Sequence, residues 1–420
     1  MRVVIWHGYL LHGTGSNEFS RGLARTLASL GHDVVVLSQD PDPGSLDLAG
    51  AGVGRPGLPG RLPVFVLDRY ADMEPALLPT MARAELDAFV SAQVRAIAAL
   101  GPADLLISNH ALLGGPVGAA SGLPYVVKVH GSELEYAMRG NAGLCRWAAE
   151  TLAPARAVVV GSAHIGAVVT DLIGALPAPV EVITPGVDVV MMAPEAREAA
   201  LDGLLHQSTL DPDGHVDERL PDLGNAARLE AFLAGSARPT VVYVGKLSRE
   251  KGVHLLLDAL PGLGARAVVV GFGPARAELE AQAARLGVRV LFTGPLAHRH
   301  LRHLWALADA SVVPSVFPEA FGMVAAEAAA TGCPPVVARH SGLAEVAAGL
   351  EAHLPDGVSL GFARDDAADL HRVLGAILEL APEQRAAVSV GVREAVLASW
   401  SWEHVARRFL AAGLRSPGIG

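Results

Sequence analysis

The chain has 420 residues, and 51% of them are hydrophobic, which is enough for two or more domains with cores of their own. Its formal net charge is −10 and it has no basic tract, so the composition argues against nucleic acid and against an anionic membrane surface as partners. The two cysteines argue against a disulfide framework. Without a secretory segment or an apolar run of about 20 residues, we expect a cytoplasmic protein.

Short β-branched runs alternate with Ala- and Leu-rich segments along the first half of the chain. Because buried parallel strands read as continuous apolar runs, this alternation predicts a mostly parallel sheet with helices on both faces. The segment 16–32 predicts an amphipathic helix that begins near Ser16 and ends at Gly31. The predicted strands are 2–6, 33–38, 63–67, 104–108, 125–129, 157–161 and 180–183.

The alternation stops after 184–188 and restarts at residue 240, which predicts a second domain of the same type. Residues about 191–238 predict a helical insertion without strands. We expect two doubly wound, Rossmann-like α/β domains, 1–186 and 187–395, and a C-terminal helix within 396–420. Parallel sheets bind ligands at the carboxyl ends of their strands, so the expected site is a cleft between the domains. The strands predicted for the second domain are 240–245, 266–271, 288–294, 310–315 and 334–338.

A glycine-rich loop, Gly13-Thr14-Gly15, follows the first predicted strand and leads into a helix. The free N–H groups of a helix N-terminus suit an anion such as a diphosphate. As a dinucleotide-binding pattern the loop is incomplete, because Glu18 stands where a third glycine is required. Asp40 follows the second strand, where a ribose-binding acid would lie. A phosphate site, a plain turn and a nicotinamide site all remain open from these residues.

Two further strand ends carry candidate polar residues. Lys246 and Lys251 bracket the loop after the strand at 240–245, and two ammonium groups five residues apart can hold one phosphate. The chain has three lysines, the third being Lys128, so their placement here is notable, although an ordinary charged loop explains it too. His130 ends another strand and can donate a hydrogen bond to a sugar hydroxyl or to a carbonyl, although a lone histidine is more often structural. His110 is a weaker candidate of the same kind.

The stretch FPEAFGMVAAE, residues 317–327, contains two glutamates around a predicted helix start near Gly322. Glu319 precedes the helix, and Glu327 lies among alanines on a helix that is apolar on all sides, so its carboxylate needs donors such as a ribose diol. The alternative is two surface glutamates, one of which caps the helix. The N–H groups suited to a diphosphate belong to Phe321, Gly322, Met323 and Val324.

Together these motifs resemble the retaining glycosyltransferases of family 4, which have the GT-B fold. The segments that carry the resemblance are VGKLSREKG, VVPSVFPEAFGMVAAEAAATGCPPV, TPGVD and VKVHGSE, in the order and spacing of that family. The resemblance covers nearly the whole chain except 191–238. It implies transfer of a hexosyl group from a nucleotide-diphosphate sugar to a hydroxyl of a small-molecule or glycan acceptor. No metal site is convincing in the sequence, and a diphosphate held by lysines and helix N-termini does not need a cation, so we expect no metal and no other cofactor. We expect UDP as the nucleotide, with GDP next.

The resemblance also implies a role for each matching residue. Lys251 and Lys246, the latter where the family usually has Arg, would neutralise the leaving diphosphate. Glu319 would bind hydroxyls of the donor sugar, Glu327 the ribose, and His130 would lie near the donor sugar. Further implied contacts are the approach of the Gly15 backbone to the phosphates and front-face attack by the acceptor. We expect the backbone of loop 292–300, around Leu296, to contact the base.

Three other functions stay open at this point. A nicotinamide-dependent oxidoreductase would use the segment from Gly13 to Asp40. A non-catalytic binder of sugar nucleotides would keep the binding motifs without turnover. A GT-B epimerase would need an acid–base pair that the sequence does not identify.

Overall fold

The computed structural model describes residues 1–67, 70, 72–212, 218–235 and 237–415. The chain divides into two compact units. Unit 1 is Met1–Gly186 with the chain from Trp402 onward, and unit 2 is Val187–Ser401. Among the described residues, no helix is both long enough and apolar enough to cross a membrane. Cys145 and Cys333 are free thiols.

The main sheet of unit 1 is parallel throughout its described part, with strand order β3-β2-β1-β6-β7-β8-β9. Its central strands are buried, because apolar side chains point to both covered faces. β3 is short and rich in glycine, and the sequence analysis did not predict it. The strands are β1 (Arg2–Trp6), β2 (Asp33–Leu37), β3 (Gly52–Gly54), β6 (Leu105–Asn109), β7 (Tyr125–Lys128), β8 (Ala157–Val160) and β9 (Val180–Val182).

The prediction of a strand over 63–67 is wrong in its extent and in its sheet. The strand is β4 (Leu62–Val64), and it pairs with β5 (Pro75–Leu77) in a separate two-stranded sheet. Val66 and Leu67 are exposed, so an apolar run does not by itself show burial here. The helices of unit 1 before the crossing to unit 2 are α1 (Gly15–Ser29), α2 (Arg83–Ala99), α3 (Gly115–Ser121), α4 (Ala142–Leu152) and α5 (Ala163–Ile173).

Unit 2 has its own parallel sheet, with strand order β12-β11-β10-β13-β14-β15. The order reverses between β10 and β13, which is the switch point where open α/β sheets bind ligands. The loops after these two strands contain Lys246, Lys251 and Glu319, which the sequence predicts for the donor site, and Glu327 lies in the helix that follows the second loop. The strands are β10 (Thr240–Val244), β11 (Arg266–Val270), β12 (Arg289–Phe292), β13 (Ala310–Val313), β14 (Pro335–Ala338) and β15 (Gly361–Phe362).

The segment 191–238 has helices and no strand in its described part, as predicted; 213–217 and Ser236 lie outside the described residues. Its helices belong to the unit 2 core, since Leu204 and Leu229 are fully buried. The segment therefore extends the core of unit 2. The helices of unit 2 are α6 (Arg197–Thr209), α7 (Asn225–Leu233), α8 (Val253–Ala259), α9 (Arg276–Leu286), α10 (His298–Leu307), α11 (Met323–Ala330), α12 (Ser341–Glu351), α13 (Ala367–Leu378) and α14 (Pro382–Ser399).

The last helix, α15 (Trp402–Leu414), returns to unit 1 and packs against α1. Phe19 of α1 contacts both Trp402 and Phe409, with ring centroids 5.6 Å apart in each pair. This helix lies within 396–420, where the sequence predicts a C-terminal helix, and its apolar side is covered by the core of unit 1.

Candidate active site

The two strand-end loops of unit 2 at the switch point are joined by backbone hydrogen bonds. The carbonyl of Glu250, in the loop after β10, accepts from the N–H groups of Val316 and Phe317, in the loop after β13, at 2.9 and 3.2 Å. Gly252 has a φ of +70°, and a Cβ there would lie 1.9 Å from the carbonyl oxygen of Pro314. Only glycine can be accommodated at so short a distance from the Pro314 carbonyl. This close packing holds the turn that contains Lys251 against the end of β13.

Lys251 and Glu319 meet as a result of this joining. The Lys251 Nζ lies 2.5 Å from the Glu319 Oε1, although the two residues are 68 positions apart in the chain. The Glu319 backbone is held in turn, because its N–H donates to the Ser341 Oγ at 2.9 Å and its carbonyl accepts from the Gly342 N–H at 3.0 Å. The side chains remain 37% and 23% exposed, so both charges can still reach a ligand.

Lys246 is placed differently from Lys251. Its side chain is exposed, and its carbonyl accepts from the Tyr243 hydroxyl at 2.9 Å. Burial, and to a smaller extent the Glu319 carboxylate, raises the pKa of Tyr243, so the hydroxyl keeps the proton that it donates. The convergence of Lys246 and Lys251 on one phosphate therefore stays a prediction, and the partner of Lys251 in the structure is Glu319.

The helix α11 begins as the sequence predicts, with Gly322 as its N-cap residue. Gly322 has a φ of +118°, and a Cβ there would lie 2.6 Å from the Leu343 side chain. Phe321 is buried and packs edge-on against Trp400, with ring centroids 5.3 Å apart. Free donors at a helix start attract anions. The N–H groups without an acceptor among the described residues are those of Phe321, Gly322, Met323 and Val324.

Glu327 lies inside α11 with a side chain that is 13% exposed. The expectation that this carboxylate depends on a ribose for its donors is wrong in part. The His298 Nε2 lies 3.2 Å from the Glu327 Oε1, so the protein itself supplies one partner. His298 is the first residue of α10 and follows the loop that contains Leu296. The Leu296 side chain packs against the unit 2 core, and the contact of its backbone with a base stays a prediction.

The glycine-rich loop of unit 1 is anchored by the side chain of Asp40, to which the sequence analysis gave a different role, a ribose contact. Asp40 is buried, and its Oδ2 accepts from the Leu11 N–H and from the His12 Nδ1, each at 2.9 Å. The expected ribose contact of Asp40 in a nicotinamide site is therefore contradicted, because this carboxylate holds the loop. Gly13 has a φ of +94° with open space beside it, and α1 begins at Gly15. An approach of the Gly15 backbone to phosphates stays a prediction.

His130 follows β7, and its Nε2 lies 2.8 Å from the Asn109 Oδ1. Burial, together with the neighbouring His110 and Lys128, lowers the pKa of His130 well below its usual value, so its ring is neutral near pH 7. Sequence reasoning missed Glu133, which is fully buried. Its carboxylate accepts from the backbone N–H groups of Ala111, His130 and Gly131 and from the His110 Nδ1. Its spacing three residues after His130 was the only available signal.

Lys128, the third lysine of the chain, has a structural position inside unit 1. Its Nζ is buried, donates to the carbonyl of Ile183 at 2.8 Å and lies 5.3 Å from the Phe19 ring centre. Burial lowers its pKa to about 7. Among the described residues, no group of three or more His, Cys, Asp or Glu side chains is arranged to hold a metal ion.

Comparison with known families places this site in context. Residues 13–190 match the family described as Glycosyltransferase Family 4, and residues 229–389 match Glycosyl transferases group 1. The chain belongs to the family 4 glycosyltransferases. The oxidoreductase alternative loses its support with this match and with the position of Asp40.

Curated relatives of this family 4 glycosyltransferase include two proteins of Mycobacterium. One is the GDP-mannose-dependent alpha-(1-6)-phosphatidylinositol monomannoside mannosyltransferase of Mycobacterium tuberculosis, 32% identical over 47% of this chain and 53% of the relative. Another is the D-inositol 3-phosphate glycosyltransferase of Mycobacterium bovis, 31% identical over 60% of this chain and 46% of the relative. The chain thus spans about half the length of the curated relatives it matches.

Solved structures extend the likeness to almost the full length of the family 4 chain. Anabaena HepE in complex with UDP has a TM-score of 0.70 at 17% identity, covering 98% of this chain and 99% of that chain. The sucrose-phosphate synthase of Thermosynechococcus elongatus has a TM-score of 0.66 at 20% identity, covering 98% and 97%. These likenesses show the fold, which is GT-B.

Proposed function

We propose that the protein is a retaining, metal-independent glycosyltransferase that moves a hexosyl group from a nucleotide-diphosphate sugar to a hydroxyl of a small-molecule or glycan acceptor. The observation that carries the proposal is the position of the Lys251–Glu319 pair one loop before the start of α11. A cation, a helix start without a side-chain cap and a carboxylate that can bind hydroxyls are thereby brought together in unit 2, although Lys251 is distant from the other two in the chain.

The chemistry of the leaving group explains this combination. Breaking the anomeric bond leaves negative charge on the diphosphate, and positive groups aimed at that charge stabilise the transition state. Lys251 supplies a full charge, and the N–H groups of Phe321–Val324 supply oriented dipoles. In the bound state Lys251 would turn from Glu319 to the phosphate. Glu319 would then be free to accept hydrogen bonds from the donor sugar.

The remaining residues fit the nucleoside and the sugar. Glu327 keeps a second carboxylate oxygen for a ribose hydroxyl while its Oε1 pairs with His298. The backbone around Leu296 is offered to the base, and His130 supplies an imidazole for a hydroxyl of the donor sugar. With no protein nucleophile assigned, retention would follow from front-face attack, in which the leaving phosphate takes the acceptor proton.

The donor and acceptor are narrower proposals than the reaction itself. We keep UDP as the first nucleotide to test and GDP as the second, because Anabaena HepE was solved in complex with UDP and the M. tuberculosis relative is named as GDP-mannose-dependent. The relative named for D-inositol 3-phosphate supports a polyol hydroxyl as the acceptor. A cytoplasmic location stays a prediction.

A thermal-shift screen of the whole chain against UDP, GDP, ADP and their sugars tests the donor. Ligands that bind the native state raise the melting temperature, so one nucleotide series should stand out. Turnover of that donor with inositol and hexose acceptors, with and without EDTA, then tests transfer and metal independence. The anomeric configuration of the product by NMR tests retention. A ligand-induced shift without turnover for any acceptor would instead favour the non-catalytic sugar-nucleotide binder.

A further inference from the structure

The buried amide of Asn109 has one possible orientation. Asn109 ends β6, has no exposed surface and contacts the carbonyl oxygen of Trp6 through its Nδ2 at 3.1 Å. A carbonyl oxygen only accepts hydrogen bonds, so the NH₂ group of the amide must face Trp6. The amide oxygen then faces the other way, toward the His130 Nε2 at 2.8 Å. The side chain thus presents a pure acceptor to the imidazole.

The orientation of Asn109 decides which nitrogen of His130 carries the proton. The Asn109 Oδ1 cannot donate, so the His130 Nε2 must be protonated. A neutral imidazole has one N–H, and the His130 Nδ1 is therefore left with a lone pair. The neighbours that keep the ring neutral or hold it in place are His7, His110, Lys128, Glu133 and Phe19.

The ring of His130 is also fixed in direction. The backbone N–H of His130 donates to the Glu133 Oε1 at 3.1 Å. The Phe19 ring packs edge-on against the imidazole, with ring centroids 5.3 Å apart. The residue is half-buried, and its Nδ1 has no hydrogen-bond partner among the described residues. The free lone pair is thus the one part of the ring left for a ligand that donates a hydrogen bond.

We propose that Asn109 is a positioning residue that holds His130 in the Nε2-protonated form, so that the His130 Nδ1 accepts a hydrogen bond from a hydroxyl of the donor sugar. The proposal rests on the proposed function: the contact of His130 with the donor sugar is what the family resemblance implies, and the role of Asn109 is what the structure adds. It reverses the sequence-based expectation that His130 donates to the sugar. A hydroxyl satisfies the lone pair, whereas a group that only accepts hydrogen bonds does not.

A second histidine in unit 1 shows the same arrangement. The His7 Nε2 lies 2.7 Å from the Asn17 Oδ1, and the Asn17 Nδ2 donates to the carbonyl of His12 at 2.6 Å. By the same argument His7 is protonated on Nε2. His7 is fully buried, however, so its lone pair faces protein and offers nothing to a ligand. In both histidines an asparagine oxygen fixes the proton on Nε2. The two differ in exposure, because His130 is half-buried and His7 is fully buried.

The ring nitrogens of His130 can be observed directly in the whole protein labelled with 15N-histidine. The His130→Gln spectrum assigns the signals. We expect a protonated Nε2 and an unprotonated Nδ1 in the wild type. In Asn109→Leu, which removes the acceptor but keeps the volume, we expect the Nδ1-protonated form to appear. Asn109→Asp keeps an oxygen toward the ring, and we expect it to retain the wild-type tautomer.

Kinetics test whether the tautomer serves the donor sugar. We expect Asn109→Leu to raise the KM for the donor and to lower kcat/KM about tenfold, the value of one hydrogen bond. Asn141→Ala, which removes the N-cap hydrogen bond of α4 in the same unit, should leave both the tautomer and the kinetics unchanged. Thermal unfolding of each variant confirms that it is folded.

Three results would overturn the proposal: a wild-type ring protonated on Nδ1, wild-type tautomer and kinetics in Asn109→Leu, or an equal loss in Asn141→Ala. The ring spectrum needs no substrate. If the wild type turned over no sugar nucleotide, the proposed function would fail while the spectrum still decided the tautomer.

Discussion

Replacing Lys251 by alanine separates a catalytic role from a structural one. The ion pair with Glu319 is partly exposed, with side chains 37% and 23% accessible, and pairs of this kind contribute about 0.2–1 kcal/mol to stability. For a unit of this size that corresponds to a fall in melting temperature of at most about 4 °C. A cation aimed at developing charge on a leaving group is worth more, roughly 3–4 kcal/mol, or about 10²–10³ in kcat. Activity should therefore fall far more than stability.

The assay follows release of nucleoside diphosphate and thermal unfolding for the wild type, Lys251→Ala and Glu319→Ala. Arg249→Ala is the matched control, since Arg249 carries the same charge in the same turn, is exposed and has no assigned role. We expect Arg249→Ala to retain activity within about threefold. The reasoning is refuted if Lys251→Ala and Glu319→Ala also stay within about threefold, or if Lys251→Ala loses no more than Arg249→Ala.

Three further predictions concern the backbone, the pH dependence and the ribose contact. Gly252→Ala adds roughly 1–2 kcal/mol of left-handed strain and roughly 1–3 kcal/mol for the overlap with Pro314. Gly264→Ala, where φ is +62° and no neighbour lies within 4 Å, adds strain alone, so equal urea midpoints for the two variants would contradict the close approach. Burial, with a smaller effect of His110, lowers the pKa of His7 from 6.5 to about 3. The unfolded chain alone binds this proton as the pH falls from 6.5 toward 3, so stability falls by about 1.4 kcal/mol per pH unit in that window. His7→Gln should remove this part of the slope of urea-derived stability against pH, and identical slopes would speak against it. Glu327→Ala should raise the KM for the donor about tenfold with little change in kcat, unlike the exposed control Glu278→Ala. A loss confined to kcat would argue against ribose binding.

Much of the fold could be predicted because its strands and helices depend on residues that are close together in the sequence. The apolar runs of β1, β10 and β11 predict buried parallel strands, and all three lie in the centres of their sheets or beside them. The failures are also local. The run at 63–67 and the glycine-rich strand β3 carry weak or misleading signals, since burial of a short segment depends on what covers it.

The candidate site likewise contains residues that local spacing could predict and contacts that it could not. Glu319, Gly322 and Glu327 could be assigned together because they lie within nine residues of one loop and helix, where spacing predicts geometry. The partners of these residues could not be assigned. Lys251 reaches Glu319 across 68 positions and His298 reaches Glu327 across 29, so both contacts depend on which strands are neighbours.

The sequence by itself determined two parallel α/β sheets, the family and the helix start that carries the proposed diphosphate site. These follow from hydrophobic runs, glycine positions and spacings that act over a few residues. Only the tertiary structure decided that Asp40 anchors a loop, that Lys128 is buried against Phe19 and that Asn109 sets the tautomer of His130. The physical reason is that a hydrogen bond forms within about 3 Å, and sheet register brings distant strand ends to that distance.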